Sequence, residues 1–372
     1  PAYAAGVTSG SGATPLAHEM VGFALSLLLG ALRKGRFDTR RAADCALLEP
    51  LLPLLQRAMR LDSDTVVSLA LRTLCSLLAF PLPSLPAHAS ALLERTMKLL
   101  RRAAAFASAT DLVANGLKAV TTLLRKPHLA ADPDADGGSD DDDEEEDGGE
   151  GGGGGAGRAR SGGGAALGED ELEWLLSFVS VHLQEQALQG ALFGLLRVVF
   201  ARRFVIPLVY DLVLTLGEMV LKADAPAVRG ACAKLYLTFV LSYPLGPRRL
   251  QQQLSFLATN LPYPVASGRL SLLALIESAA ARLPLAELHR QAELLLLPLV
   301  TRLVNDNDAA CRAAVGAALT TLVRRTCAPP GDSAADGARA RLLVLLAAWY
   351  ADGADGALRR AAAQLAGLTV DA

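Results

Sequence analysis

The sequence predicts an all-α protein built from repeated helical hairpins, and three observations support this. Leu and Ala dominate the 372-residue chain, which is 52% hydrophobic but only 5% aromatic, and this composition favours helices. An amphipathic stripe with helical spacing recurs along the chain. The recurrences lie mostly 40 to 47 residues apart, which is the period of HEAT and armadillo repeats.

The stripe is clearest in 311–322, where apolar or small residues stand at positions i, i+3, i+4, i+7, i+8 and i+11. Copies of the pattern begin at Val21, Val67, Val113, Leu188, Val228, Gly268, Cys311 and Leu358. Successive starts are separated by 46, 46, 75, 40, 40, 43 and 47 residues, and the long interval contains an acidic insert. We therefore predict a HEAT/armadillo-like α-solenoid of about seven to eight helical hairpins, in which neighbouring repeats share a core.

Each hairpin is predicted to pair a first helix with the second helix that carries the stripe. The residue at stripe position i+3 is Ala, Gly or Ser in every copy, and a small residue there would let the two helices approach closely. The apolar segments 51–61, 204–221 and 292–304 are candidate first helices, and each contains a Pro. Proline is tolerated in the first turn of a helix and kinks the helix further in.

Four polar residues, Asn305 to Asp308, separate two apolar runs. A calcium-binding EF-hand loop that starts at Asp306 would need Gly at its sixth position and Glu at its twelfth. Those positions hold Cys311 and Ala317. We interpret the four residues instead as the turn of one hairpin, with Asn or Asp capping the second helix.

An arginine follows the first stripe residue in the last four repeats, and an acidic residue precedes it by a few positions in most of them. The arginines are Arg229, Arg269, Arg312 and Arg359. The pattern is typical of HEAT repeats. A ladder of structural contacts along the turns explains it better than a binding role does.

A charged, low-complexity segment interrupts the array. Residues 132–150 hold 12 of the 38 Asp and Glu residues and no Lys or Arg, and a Gly-rich tract follows. Such a composition cannot bury apolar area, so we predict a disordered loop, acting either as a solvated connection or as a decoy for basic partners. The predicted organisation is HEAT repeats in 1–128, the insert in 129–168 and HEAT repeats in 169–372. Outside 132–150, 36 Lys and Arg residues stand against 26 acidic ones, so the repeats themselves are basic.

The sequence contains no catalytic constellation. The five His lie in different repeats without forming a ligand pair, and the five Cys form no CxxC pair. No phosphate-binding loop, dinucleotide fingerprint or nucleophile motif is present. We therefore expect a non-enzymatic protein with no metal, no cofactor and no small-molecule substrate.

The longest uncharged apolar run near a terminus, 21–32, spans 12 residues, which is too short to cross a bilayer. We accordingly expect a soluble, intracellular protein that does not contact a membrane. The chain begins without Met, and we expect it to be a fragment of a longer protein.

Basic residues occur near the C-terminal ends of the predicted second helices. They are Arg125, Lys126, Arg202, Arg203, Arg282, Arg324 and Arg325. Cations at these positions compensate the helix dipole, which suffices to explain any single pair. Because the ends of successive second helices share one edge of a solenoid, the set would also form a basic edge that matches the phosphates of RNA. Both interpretations stay open, and the second predicts an RNA-binding edge.

A more specific pattern lies in 235–276, "LYLTFVLSYPLGPRRLQQQLSFLATNLPYPVASGRLSLLALI", where YPLG and basic residues precede an FL…NL.Y….SGR segment. An apolar helix that runs into a VND turn follows in "AELLLLPLVTRLVNDNDAACRAAV". Across 205–325 the chain thus resembles the down-regulated-in-metastasis family, very large HEAT-repeat proteins known as small-nucleolar-RNA-associated protein twenty of the small-subunit processome. The acidic insert, and Pro262 and Pro264 around Tyr263, depart from the family pattern.

The resemblance implies a C-terminal-region fragment of a non-enzymatic, nucleolar scaffold in ribosome biogenesis. Such a scaffold supports processing of small-subunit pre-ribosomal RNA, and its partners would be that RNA, small nucleolar ribonucleoprotein and processome proteins. Two other classes of HEAT-repeat protein stay open: a nuclear transport receptor of the importin kind, and a regulatory scaffold subunit of a kinase or phosphatase.

Overall fold

The computed structural model describes five stretches of the chain: 15–106, 109–125, 167–327, 333–351 and 356–371. Within these stretches the regular elements are sixteen α-helices and there is no strand, so the predicted all-α, HEAT-like solenoid is confirmed. Most of the predicted disordered insert lies outside the described residues.

The first eight helices are α1 (Pro15–Arg33), α2 (Ala42–Leu48), α3 (Leu51–Ala58), α4 (Asp64–Leu77), α5 (Leu85–Ala103), α6 (Thr110–Arg125), α7 (Glu169–His182) and α8 (Gln186–Arg202). The second eight are α9 (Pro207–Lys222), α10 (Pro226–Ser242), α11 (Pro247–Thr259), α12 (Ala266–Arg282), α13 (Leu285–Asn305), α14 (Ala309–Cys327), α15 (Ser333–Ala351) and α16 (Gly356–Asp371). All eight predicted stripes lie on helices, namely α1 and the even-numbered helices from α4 to α16. The described residues thus contain seven hairpins. In the hairpin that comes first, the first helix is split into α2 and α3. Helix α1, a second helix without a described first helix, precedes these hairpins.

The chain forms two compact units, Pro1–Val198 and Val199–Ala372, and α8 runs across the boundary between them. In the first unit the second helices α1, α4 and α6 pack side by side, and α5 packs against α6. In the second unit α10, α12, α14 and α16 form a similar row, while the first helices α11 and α13 pack against each other. Each unit therefore has a layer of first helices and a layer of second helices, with the stripes between them.

Prolines mark where several first helices begin. Pro207 and Pro247 are the first residues of α9 and α11, where the missing N–H would have no partner within the helix anyway. Pro298 is different, because α13 begins at Leu285 rather than near residue 292, and this places the proline in the helix interior. The segment 292–304 is therefore the second half of a longer first helix.

The small residue at stripe position i+3 has the expected packing role at Gly116. A Cβ atom added to this buried glycine would lie 2.7 Å from Cδ2 of Leu100. The glycine therefore allows α6 to lie directly against the first helix of its own hairpin, α5.

Helix α1 exposes apolar side chains on one side. Leu16, Met20, Phe23 and Leu27 are each at least half exposed, because no first helix pairs with α1 among the described residues. By length and composition, the window Leu16–Arg33 is long and apolar enough to cross a membrane, so the expectation that this run is too short was wrong. Mostly buried core helices and signal sequences pass the same test; 17% of this window is buried, although α1 packs against α4.

Candidate nucleic-acid interface

Within three hairpins of the second unit, the turn is held by the arginine near the start of the second helix, α10, α12 or α14. In each case one guanidinium nitrogen, Nη1, donates to backbone carbonyls of the preceding turn, over distances of 2.7 to 2.9 Å. The pairs are Arg229 with Ala223 and Asp224, Arg269 with Tyr263 and Pro264, and Arg312 with Asp306. The predicted structural ladder is therefore confirmed at these three positions.

The ladder also joins one hairpin to the next. Arg229 donates through Nε to Ser271 Oγ at 3.1 Å, and Arg269 donates through Nη2 to Asp306 Oδ1 at 2.9 Å. The other oxygen of Asp306 accepts from Arg302 at 2.7 Å. Burial alone would raise the pKa of Asp306, but the hydrogen bonds from Arg302, from the backbone N–H of residue 308 and from Arg269 lower it below its ordinary value.

The hairpin interpretation of the polar turn is confirmed. Asp308 caps α14, because its Oδ1 accepts from the backbone N–H of Cys311 at 2.8 Å. Asp306 is buried between two guanidinium groups, and each of its carboxylate oxygens pairs with one of them. Across the part of the chain that the structure describes, no three His, Cys, Asp or Glu side chains converge as a metal site would require.

The turns that connect one hairpin to the next lie at the opposite end of the helices, and most of the predicted site residues are found there. Arg203, Arg282 and Arg324 are exposed at the ends of α8, α12 and α14. None of the three side chains hydrogen-bonds or forms an ion pair with another described residue. Arg203 has a φ of 55°, the left-handed conformation that commonly ends a helix.

The other predicted residues differ from these three. Arg202 is half-buried, and burial lowers the pKa of its guanidinium. Arg325 donates through Nη1 to the carbonyls of Ala280 and Leu283 at 2.8 and 2.9 Å, so it caps the end of α12 rather than facing solvent freely. Arg125 is exposed at the end of α6 in the first unit. Lys126 lies outside the described residues.

Arg324 and Arg325 therefore offer a matched pair of substitutions. Replacing Arg325 with Gln should destabilise the second unit by about 1–2 kcal/mol, because two charge-assisted hydrogen bonds to the end of α12 are lost. Replacing Arg324 with Gln should change the free energy of unfolding by less than about 0.5 kcal/mol. Hydrogen exchange of amides in α12 and α14 of the two variants measures the difference. Equal effects would contradict the assignment of Arg325 as a cap.

Two exposed arginines that the sequence interpretation missed lie at the same end. Arg248 and Arg249 occupy the first turn of α11. The Arg249 guanidinium lies over the Tyr210 ring, 4.5 Å from its centroid, and donates to Tyr210 Oη at 2.8 Å. A search restricted to the C-terminal ends of second helices could not find these residues. The direction of the helices could have revealed them, because the first helix of each hairpin starts at the end where the second helix of the preceding hairpin ends.

The YPLG motif supplies the scaffold for this end of the unit. Tyr243 is buried and donates its hydroxyl hydrogen bond to the carbonyl of Phe204, next to Arg203. Tyr210 meets Tyr243 edge-on, with ring centroids 6.3 Å apart. Because Arg249 packs over the Tyr210 ring, this pair of tyrosines holds Arg203 and Arg249 at one end of the unit.

We call the exposed residues at these turns of the second unit the arginine edge: Arg203, Arg248, Arg249, Arg282 and Arg324. Two nearby acidic side chains are already paired, Glu287 with Arg290 at 2.7 Å and Asp336 with Arg339 at 3.3 Å. The exposed Asp211 is close in sequence to Tyr210. The edge is therefore strongly basic, and guanidinium groups of this kind bind phosphate oxygens.

Fold and edge together define a class, a HEAT-like helical-repeat protein with a basic edge in its second unit. No family model matches the chain. Similarity exists to proteins named U3 small nucleolar RNA-associated protein 20, with 33% identity over 144 residues in Schizosaccharomyces pombe and 27% over 159 residues in Saccharomyces cerevisiae. The matches cover 39% and 43% of this chain. The chain spans about 6% of the length of these curated relatives.

Among solved structures, importin beta aligns with 99% of this chain and 41% of its own, at a TM-score of 0.47 and 12% identity. An engineered protein aligns with the whole chain at a TM-score of 0.36 and 12% identity.

Proposed function

We propose that the chain is a non-enzymatic HEAT-repeat scaffold in ribosome biogenesis. In this proposal it works in the nucleolus, within the small-subunit processome, and supports processing of small-subunit pre-ribosomal RNA. Its partners are that RNA together with small nucleolar ribonucleoprotein and processome proteins. The similarity to U3 small nucleolar RNA-associated protein 20 supports the pathway. The arginine edge is the observation that carries the RNA contact.

The way the edge is built supports the scaffold role. The ladder arginines at the other ends of the helices use their donors on backbone carbonyls and on Asp306. Those at the arginine edge, apart from Arg249, have no partner among the described residues. Guanidinium groups on fixed helix ends can contact successive phosphates without reading bases, which positions an RNA on the protein without choosing its sequence.

The RNA contact is tested by replacing Arg203, Arg248, Arg282 and Arg324 together with Gln. Binding of the chain to a small-subunit pre-ribosomal RNA fragment should weaken by at least tenfold near 0.1 M salt. The plot of log K against log salt should lose about three units of slope, since each lost phosphate contact removes about 0.7–0.9. Fluorescence anisotropy titrations at several salt concentrations measure both quantities.

The matched control replaces four exposed basic residues away from the edge with Gln: Lys222, Lys234, Arg341 and Arg360. The net charge changes equally, so a general charge effect would weaken RNA binding in both variants. Loss confined to the edge variant supports the proposal. Equal affinities of the edge variant and the unmodified chain would overturn it. In cells, the chain should crosslink to pre-ribosomal RNA, whereas recovery of only a small GTPase with cargo, or of a kinase or phosphatase, would favour the other classes.

A further inference from the structure

No aromatic side chain at the arginine edge is exposed among the described residues, and Phe204, next to Arg203, is half-buried. Tyr243 and Phe200 are buried. Tyr210 is half-buried, and Arg249 lies over its ring. Among the described residues of the second unit, the aromatic residue that is exposed is Tyr350. It lies at the C-terminal end of the first helix α15, which is the end of the helices opposite the arginine edge.

The lack of an exposed ring at the arginine edge affects which kind of RNA the edge can bind. Proteins that bind single strands without sequence preference combine a basic groove with aromatic side chains, and each stacked base contributes about 1–3 kcal/mol. Double-stranded RNA is recognised mainly by shape and by contacts to phosphates and 2′-hydroxyl groups, because its deep major groove hides the base edges. An edge with guanidinium groups and no free ring matches the second case.

The rigid placement of the edge residues also favours a duplex. Packed helices lie about 8–10 Å apart, so successive hairpins present arginines as a row of separate charges on rigid supports. A duplex is itself rigid and carries its phosphates at about twice the linear density of one strand. A flexible strand would lose conformational freedom on such a row without gaining any stacking in return.

We propose that the arginine edge of the second unit binds the backbone of double-stranded RNA in preference to single strands. This inference rests on the proposed RNA contact and specifies its substrate class. The guanidinium groups of Arg203, Arg248, Arg282 and Arg324 contact phosphate oxygens, and Arg249, held against Tyr210, supplies a fixed donor between them. Base sequence contributes little, because the deep major groove of an RNA duplex hides the base edges from side chains.

The experiment compares one blunt RNA duplex of about 20 base pairs with each of its separated strands, chosen to form no internal structure. Anisotropy titrations with the chain near 0.1 M salt should give a dissociation constant at least tenfold lower for the duplex. A duplex of scrambled sequence should bind within about threefold of the first. The variant with Gln at Arg203, Arg248, Arg282 and Arg324 should lose the preference.

The outcomes separate this inference from the proposed function. If single strands bind as tightly as the duplex, and the edge variant weakens both, the edge contacts RNA but the duplex preference is wrong. If the edge variant binds duplex and strands like the unmodified chain, both proposals fail at this surface. A duplex preference that survives in the edge variant would place the duplex site elsewhere and would also overturn the inference.

Discussion

Replacing Asp306 with Ala is expected to destabilise the second unit by about 3–5 kcal/mol, because it breaks a buried ion-pair network and leaves cations without a partner. The Asp306 side chain is 1% exposed, and its partners Arg269 and Arg302 are 9% and 19% exposed. Both guanidinium groups would remain in the protein with hydrogen-bond donors unsatisfied. This cost exceeds that of losing a surface pair, which is at most about 1 kcal/mol.

Hydrogen exchange is the suitable measurement, because a repeat chain with two units need not unfold in a single step. Protection of amides in α12 and α14 should fall by about two to three and a half orders of magnitude, which corresponds to the lost free energy at 1.4 kcal/mol per tenfold. The control is Asp224→Ala, which removes an exposed carboxylate from the turn before α10 and should leave protection unchanged. Similar losses in both variants would show that the Asp306 network is not what holds these helices together.

The same network predicts a dependence on pH. The pKa of Asp306 is lower in the folded chain than its ordinary value, so the carboxylate stabilises the fold when it is ionised. This contribution is fully present above the ordinary Asp pKa of about 3.9 and is lost as the pH falls through the lower folded value. The unmodified chain should therefore lose more stability than Asp306→Asn between about pH 4 and pH 2. Parallel acid-unfolding curves for the two proteins would contradict this.

Local periodicity was enough to predict the second helices. The stripe that begins at Cys311 identified all eight second helices, because the residues buried between layers must recur on one helix face. The start of α13 was misplaced because the segment before residue 292 is polar on several sides, with Glu287, His289 and Arg290. Its buried residues, among them Leu288 and Gln291, were therefore not recognised as one face.

Contacts between distant residues were the part that sequence could not supply. Arg324 and Arg325 are equivalent in sequence, yet only Arg325 reaches the carbonyls of Ala280 and Leu283, more than forty residues away. In the same way, Arg269 and Asp306 are 37 residues apart and form one buried pair. Whether an arginine is structural or free for a ligand depends on which backbone groups the fold brings near it, and a one-dimensional pattern does not contain that information.

Replacing Gly268 with Ala is expected to destabilise the second unit by about 2–3 kcal/mol through overpacking. Gly268 is buried in the first turn of α12, within the SGR segment. A Cβ atom there would lie 2.4 Å from the carbonyl oxygen of Leu221 and 2.8 Å from two ring carbons of Tyr263. The ring could rotate, but the carbonyl belongs to the backbone of α9 and can move only with the helix.

A shift of α12 away from α9 would also disturb the arginine ladder. The next residue, Arg269, hydrogen-bonds to the turn at Tyr263 and pairs with Asp306. The matched control is Gly230→Ala in α10, where an added Cβ meets nothing within 4 Å. There the helix propensity of Ala should stabilise the unit by about 0.5–1 kcal/mol. Hydrogen exchange in α9 and α12 should therefore move in opposite directions for the two substitutions. Equal stabilisation by both would show that α9 and α12 do not approach as closely as their contact at Leu221 requires.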